Sequence, residues 1–183
     1  MTSVRFGTDG IRGVAGETIT AELASALGVA LGSRHPGGNI LVGRDTRESG
    51  VRLSTSLAAG IVAGGARPID VGVIPTSGLA IITAGDPSIA RAVAVTASHN
   101  PAEYNGLKVI GRNGRKISDE EERAVAAGIQ GVPVNQSGEQ VYFGIAGSSS
   151  GDKEAVIPFL QPERESSAAP TSELMPDPMN TAS

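Results

Sequence analysis

Ile89-Ala90-Arg91-Ala92-Val93-Ala94-Val95, running without a break into Thr96-Ala97-Ser98-His99-Asn100-Pro101, is the stretch that decides the architecture. Its first half is small or β-branched at nearly every position, with apolar side chains due on both faces. Strands of that kind lie at the centre of sheets covered on both sides. The second half turns polar at once, and Pro101 pushes Asn100 towards extended backbone. Open α/β sheets bind ligands where their strands end. Ser98 is therefore expected as an exposed hydroxyl on a stiff support, flanked by groups that can hydrogen-bond a phosphate.

On either side of this strand the chain alternates strand-like and helix-like segments. Thr20 reads as an N-cap, with Glu22 in the first turn and Leu23, Leu27 and Leu31 on one stripe; Gly32 and Pro36-Gly37-Gly38 stop that helix. Asn39 to Val42 is a strand ending at Gly43-Arg44-Asp45. Ser49 to Gly65 is a helix with Leu53, Leu57, Ile61 and Val62 inward, closed by Gly64-Gly65. Ile69 to Val73 is a strand, and Pro75-Thr76-Ser77 opens a helix to Ala84. Leu107 to Ile110 pairs as a further strand, and Asn113-Gly114 signals a turn. Ser118-Asp119-Glu120-Glu121 fits a capping box for a helix reaching Ile129. Gly7 to Gly13 is too rich in glycine for a regular element. The sum is an α/β layered domain.

Composition agrees. The 183 residues are 39% hydrophobic and 19% charged, as in ordinary globular proteins, but only 3% aromatic, so Ala, Val, Ile and Leu must build the core. A net charge of −4 without clustered Lys or Arg argues against a nucleic-acid partner. No apolar run approaches a membrane span, no signal peptide is visible, and no cysteine is present, so a cytoplasmic location is expected. Composition changes near Val132. Residues 133–160 read as a linker or the aborted start of another domain, and 161–183, rich in Pro, Ser, Glu and Thr, as a disordered tail.

Lys108, on the next strand, is placed to return a positive charge to the Ser98 mouth, and Arg12 to offer phosphate oxygens a planar fork. Each feature alone has a plainer reading. Ser98-His99 is a turn with a solvated histidine; Gly7 to Gly13 matches neither the Walker nor the dinucleotide pattern. Arg44-Asp45-Thr46-Arg47 is a surface ion-pair loop worth little. Glu120 to Glu122 is a solvated helix N-terminus favoured by the dipole.

Together the segments carry more. Phe6-Gly7-Thr8-Asp9-Gly10-Ile11-Arg12-Gly13, Val42-Gly43-Arg44-Asp45-Thr46-Arg47, Gly72-Val73-Ile74-Pro75-Thr76, and Thr96-Ala97-Ser98-His99-Asn100-Pro101 with Asn105-Gly106-Leu107-Lys108 resemble, in order, domain 1 of the α-D-phosphohexomutases. The resemblance covers about 1–130. It implies an α/β/α domain over 1–132, with a mixed sheet between helices. It implies that Ser98 is the phosphorylated serine, giving its phosphoryl group to a sugar monophosphate by way of a sugar 1,6-bisphosphate, which also serves as activator. By the same match His99, Lys108 and Arg12 are active-site residues. Arg12, Asn100 and Lys108 bind substrate phosphate, and Mg²⁺ sits on the Ser98 phosphate. The Phe6 to Gly13 opening so close to Met1 favours the phosphoglucosamine mutase branch, while Ala102-Glu103-Tyr104-Asn105-Gly106 keeps the phosphomannomutase and phosphoglucomutase branches open.

Three family motifs have no match here: the Asp-Gly-Asp-x-Asp-Arg loop that completes the Mg²⁺ site, the sugar-recognition loop and the C-terminal phosphate loop. The expectation is a chain inactive by itself, whether a truncated product, a deliberate fragment or one piece of an enzyme whose missing domains sit on a separate chain. A non-catalytic remnant or interaction module is the reading of another class, and a nucleotide-binding protein is disfavoured by the absent glycine fingerprints.

Overall fold

The computed structural model describes residues 6–7 and 10–130. Residues 131–183 lie outside them, and with them the linker and tail expected from the sequence.

Among the described residues nine elements follow one another: β1 (Ile11–Val14), α1 (Ala21–Arg34), β2 (Asn39–Arg44), α2 (Ser49–Ala63), β3 (Arg67–Val73), α3 (Thr76–Gly85), β4 (Ile89–Val95), β5 (Tyr104–Ile110) and α4 (Asp119–Gln130). The strands form one sheet in the order β1-β5-β4-β2-β3. β2 pairs in parallel with β3 and β4, while β5 runs antiparallel to both β4 and β1. The sheet is mixed, and β4 is its central strand, as the apolar run demands.

Alternation along β4 divides the core. Val93 and Val95 join Leu27, Leu31, Leu57, Ile61 and Val125 on the face covered by α1, α2 and α4. Ala92 and Ala94 join Leu41, Leu79 and Ile110 on the face covered by α3. Three layers result, α/β/α. At ~25 cal/mol per Å² of apolar surface removed from water, two such cores supply the main folding drive of a chain with few aromatics.

Local signals set the helix ends. Thr20 Oγ1 accepts the Leu23 N–H at 3.2 Å and starts α1. The capping box at α4 closes in both directions: Glu121 N–H donates to Ser118 Oγ at 3.2 Å and Ser118 N–H to Glu121 Oε2 at 3.4 Å.

Three expectations are corrected. Gly32 does not stop α1, which continues to Arg34; it is a contact residue against α2, where a Cβ would stand 2.5 Å from the Ile61 carbonyl oxygen. The glycine-rich N-terminal segment does form a regular element, because β5 supplies a hydrogen-bonded partner for Ile11 to Val14. The acidic start of α4 is only partly solvated: Glu122 is buried with Lys116 Nζ 3.1 Å from its carboxylate, and Glu121 pairs with Arg91.

Candidate active site

β4 delivers Ser98 to its position. The strand ends at Val95, Thr96 N–H still bonds Gly106 O at 3.0 Å, and the chain then turns so sharply that Ser98 adopts φ 59°. Ser98 is the non-glycine residue with positive φ among the described residues. Left-handed backbone costs an L-residue roughly 1–2 kcal/mol, so the surroundings must hold it there. Ser98 and His99 are both exposed, and the Ser98 Oγ lies 3.3 Å from His99 Nδ1.

The holding comes from Arg47. Its Nη2 donates to Ser98 O at 3.0 Å and to Asn100 O at 2.7 Å; its Nη1 donates to Pro101 O at 2.5 Å and Tyr104 O at 2.9 Å; its Nε donates to Asp45 Oδ2 at 3.0 Å. A guanidinium has five N–H donors, and here each has an acceptor. Asp45 completes the frame. Its Oδ1 accepts the Arg47 backbone N–H at 3.0 Å, and its Oδ2 also accepts the Thr96 hydroxyl at 2.6 Å. Thr96 Oγ1 in turn accepts the Ser98 N–H at 2.9 Å. Ser98 is thus held through both its N–H and its C=O.

The Arg44 to Arg47 segment is therefore no surface ion-pair loop. The Arg47 side chain is only 11% exposed, and its contacts reach across more than fifty residues of chain. A signal for this existed in the sequence. β2 and β4 are apolar strands whose polar ends carry the two loops, and parallel neighbours bring such ends together.

Arg12 and Lys108 share the sheet face covered by α3. Arg12 stands opposite Gly106 in the β1–β5 register, and Lys108 opposite Ala94 in the β4–β5 register. Gly106 leaves room for this: a Cβ there would lie 2.9 Å from Arg12 Cγ and 2.8 Å from Thr96 O. Two positive side chains therefore share that sheet face, and each takes part in an interaction there. Asn100 enters the network through its backbone, its N–H donating to Ala97 O at 3.2 Å and its C=O accepting from Arg47. The mouth is open. A groove of about 570 Å³ borders the far end of the same loop, lined by Thr20, Glu22, Glu48, Arg52, Ala102 and Glu103, and includes none of the expected site residues.

Among the described residues no group of three or more His, Asp or Glu side chains could hold a metal ion. The described residues do not make a Mg²⁺ site by themselves.

The family model for phosphoglucomutase/phosphomannomutase, alpha/beta/alpha domain I, matches residues 3–133. This chain belongs to the phosphoglucomutase/phosphomannomutase family. It is 47% identical over 126 residues to the phosphoglucosamine mutase of Thermotoga neapolitana, covering 69% of this chain and 29% of that protein. It is 40% identical over 171 residues to that of Rubrobacter xylanophilus, covering 86% of this chain and 36% of that protein. A crystal structure of a phosphoglucomutase/phosphomannomutase family protein from Burkholderia thailandensis superposes with a TM-score of 0.63 at 31% identity, covering 71% of this chain and 30% of that one. The resemblance read from the motifs is thus confirmed at the level of family and fold. The chain spans about a third of the length of the curated relatives it matches.

Proposed function

We propose that this chain carries the phosphorylatable serine of a phosphoglucosamine mutase, interconverting glucosamine 6-phosphate and glucosamine 1-phosphate through a phosphoserine and a sugar 1,6-bisphosphate. The observation that carries this reading is Ser98, an exposed hydroxyl beside an imidazole on a left-handed turn at the end of the central strand. Relatives 40% and 47% identical over this domain and named phosphoglucosamine mutase support the choice of branch.

In the loading direction Ser98 Oγ attacks a phosphorus of the bisphosphate. The Oγ–P bond forms as the bond from phosphorus to the sugar oxygen breaks, and the serine proton passes by way of His99 to the departing oxygen. In the delivering direction the phosphoserine gives its phosphoryl group to the free hydroxyl of a sugar monophosphate, whose proton returns to Oγ. Positive charge suits a transferring phosphoryl group, whose oxygens carry the spread negative charge; Arg12 and Lys108 are assigned to hold it, with Asn100 shaping the loop. Mg²⁺ on the serine phosphate belongs to this reading through the family resemblance alone. The sequence shown contains no match to the family's metal-completing loop, so efficient turnover is assigned to this chain only together with the remaining domains.

The test is intact mass before and after incubation with glucosamine 1,6-bisphosphate and Mg²⁺. The expected outcome is a gain of a single phosphoryl group, absent from Ser98→Ala. A gain that survives Ser98→Ala overturns the assignment of the nucleophile. Faster loading from mannose or glucose 1,6-bisphosphate selects the phosphomannomutase or phosphoglucomutase branch instead.

A further inference from the structure

The five donors of Arg47 are spent in an unusual way: one on Asp45 and four on backbone carbonyls of one loop, those of Ser98, Asn100, Pro101 and Tyr104. None of the five is left for a substrate. The side chain is nearly buried, and burying a guanidinium is costly unless its donors are satisfied, so the loop cannot rearrange without orphaning a charge. The second half of the clamp is Asp45 to Thr96 to Ser98 N–H, which fixes the peptide on the other side of the same residue. The residue pinned from both sides is the strained one, and the direction of its Oγ follows from its backbone.

We propose that Arg47, anchored by Asp45 and Thr96, is a positioning residue that holds Ser98 in its left-handed conformation and so aims Oγ along the line of phosphoryl transfer. This rests on the reading of Ser98 as the phosphoryl carrier. Arg47 touches neither donor nor acceptor; it acts through the loop. A lysine cannot replace it, because an ammonium has three donors at a point and not five in a planar fork.

The experiment uses the full chain as wild type, Arg47→Lys, Thr96→Val and Thr96→Ser, with two readouts. The first is amide hydrogen exchange. In Arg47→Lys the Ser98, Asn100 and Tyr104 amides exchange about tenfold faster while those of Val93 and Leu107 hold their wild-type rates. The second is loading from a hexose 1,6-bisphosphate with Mg²⁺, followed by intact mass. A misaimed nucleophile lowers the maximal loading rate, by about a hundredfold for Arg47→Lys, and leaves the half-saturating donor concentration and the final extent of loading at wild-type values. A merely structural role lowers the final extent instead. Thr96→Val falls between wild type and Arg47→Lys, and Thr96→Ser, which keeps the hydroxyl, loads as wild type does. Unchanged loop exchange in Arg47→Lys overturns the proposal, as does an unchanged maximal rate with a loosened loop. Uniformly faster exchange across the domain also overturns it. If the wild type takes up no phosphoryl group, the proposed function loses its support, and the exchange readout alone decides whether Arg47 fixes the loop.

Discussion

The α1–α2 seam and the Ser98 loop both bring distant stretches of chain into close contact, by opposite means. At the seam the contact is made by removing side chains. A Cβ on Gly60 would stand 2.0 Å from the Ser25 carbonyl oxygen, and one on Gly28 would stand 2.3 Å from the Leu57 carbonyl oxygen. At the loop the contact is made by inserting one long side chain, Arg47, among four carbonyls. The seam is a matter of shape and has no tolerance for volume; the loop is a matter of donors and acceptors and has no tolerance for their loss. Damage to the first falls on stability, and damage to the second on geometry at Ser98.

The seam gives the largest effect. Gly60→Ala forces the helices apart and costs about 2 kcal/mol of stability, because overpacking outweighs the ~1 kcal/mol that alanine gains over glycine in a helix. Gly85→Ala, at the end of α3 where nothing lies within 4 Å of the added methyl, has the opposite sign, about +0.5 kcal/mol. Urea midpoints at constant m-value read both. A neutral Gly60→Ala would mean that the two helices do not touch through their backbones.

At the loop, Ser98→Gly and Ser98→Ala both lack the hydroxyl, so their difference isolates the backbone. Glycine takes φ 59° without strain. Ser98→Gly should therefore be the more stable of the two by about 1 kcal/mol, again from urea midpoints. Equal stabilities would remove the strain that Arg47 is said to hold.

The same contrast explains what the sequence disclosed. The strand and helix pattern from β2 to α4 was legible because its signals are local: a threonine cap at α1, a capping box at α4, an apolar run at β4. Ser98 stood out because a strand ending in a polar loop is also local information. Gly32 misled because a glycine that lets a neighbouring backbone approach has the same letter as one that ends a helix, and only the Ile61 carbonyl distinguishes them. β1 was missed since its order comes from pairing with β5, some ninety residues on. The role of Arg47 is hidden for the same reason: of its side-chain acceptors only Asp45 is near in sequence, and the four carbonyls lie more than fifty residues on, at a different strand end.

The smallest effect is set by pH, at a site remote from both regions. His35 caps the C-terminus of α1, where burial, and then the charges of Arg91 and Arg34, hold its pKa below the ordinary 6.5 despite the opposing pull of Glu121. Above 6.5 the ring is neutral in folded and unfolded chains alike and the pH does not matter. As pH falls through that value the unfolded chain takes up a proton that the folded chain refuses, so stability declines, and the decline ends once the pH passes the lower folded value. Glu121 behaves differently. Burial raises its pKa, but Arg91 and the Ser118 N–H outweigh that and bring it below 4.5. Its stabilisation is present above 4.5 and is lost as pH falls through the folded value, so its window opens at a lower pH than that of His35. His35→Gln, neutral throughout, should accordingly flatten the fall in melting temperature as pH drops through 6.5 and leave an acid limb below 4.5 in place. A slope unchanged by His35→Gln would mean that the burial of His35 does not set the upper transition.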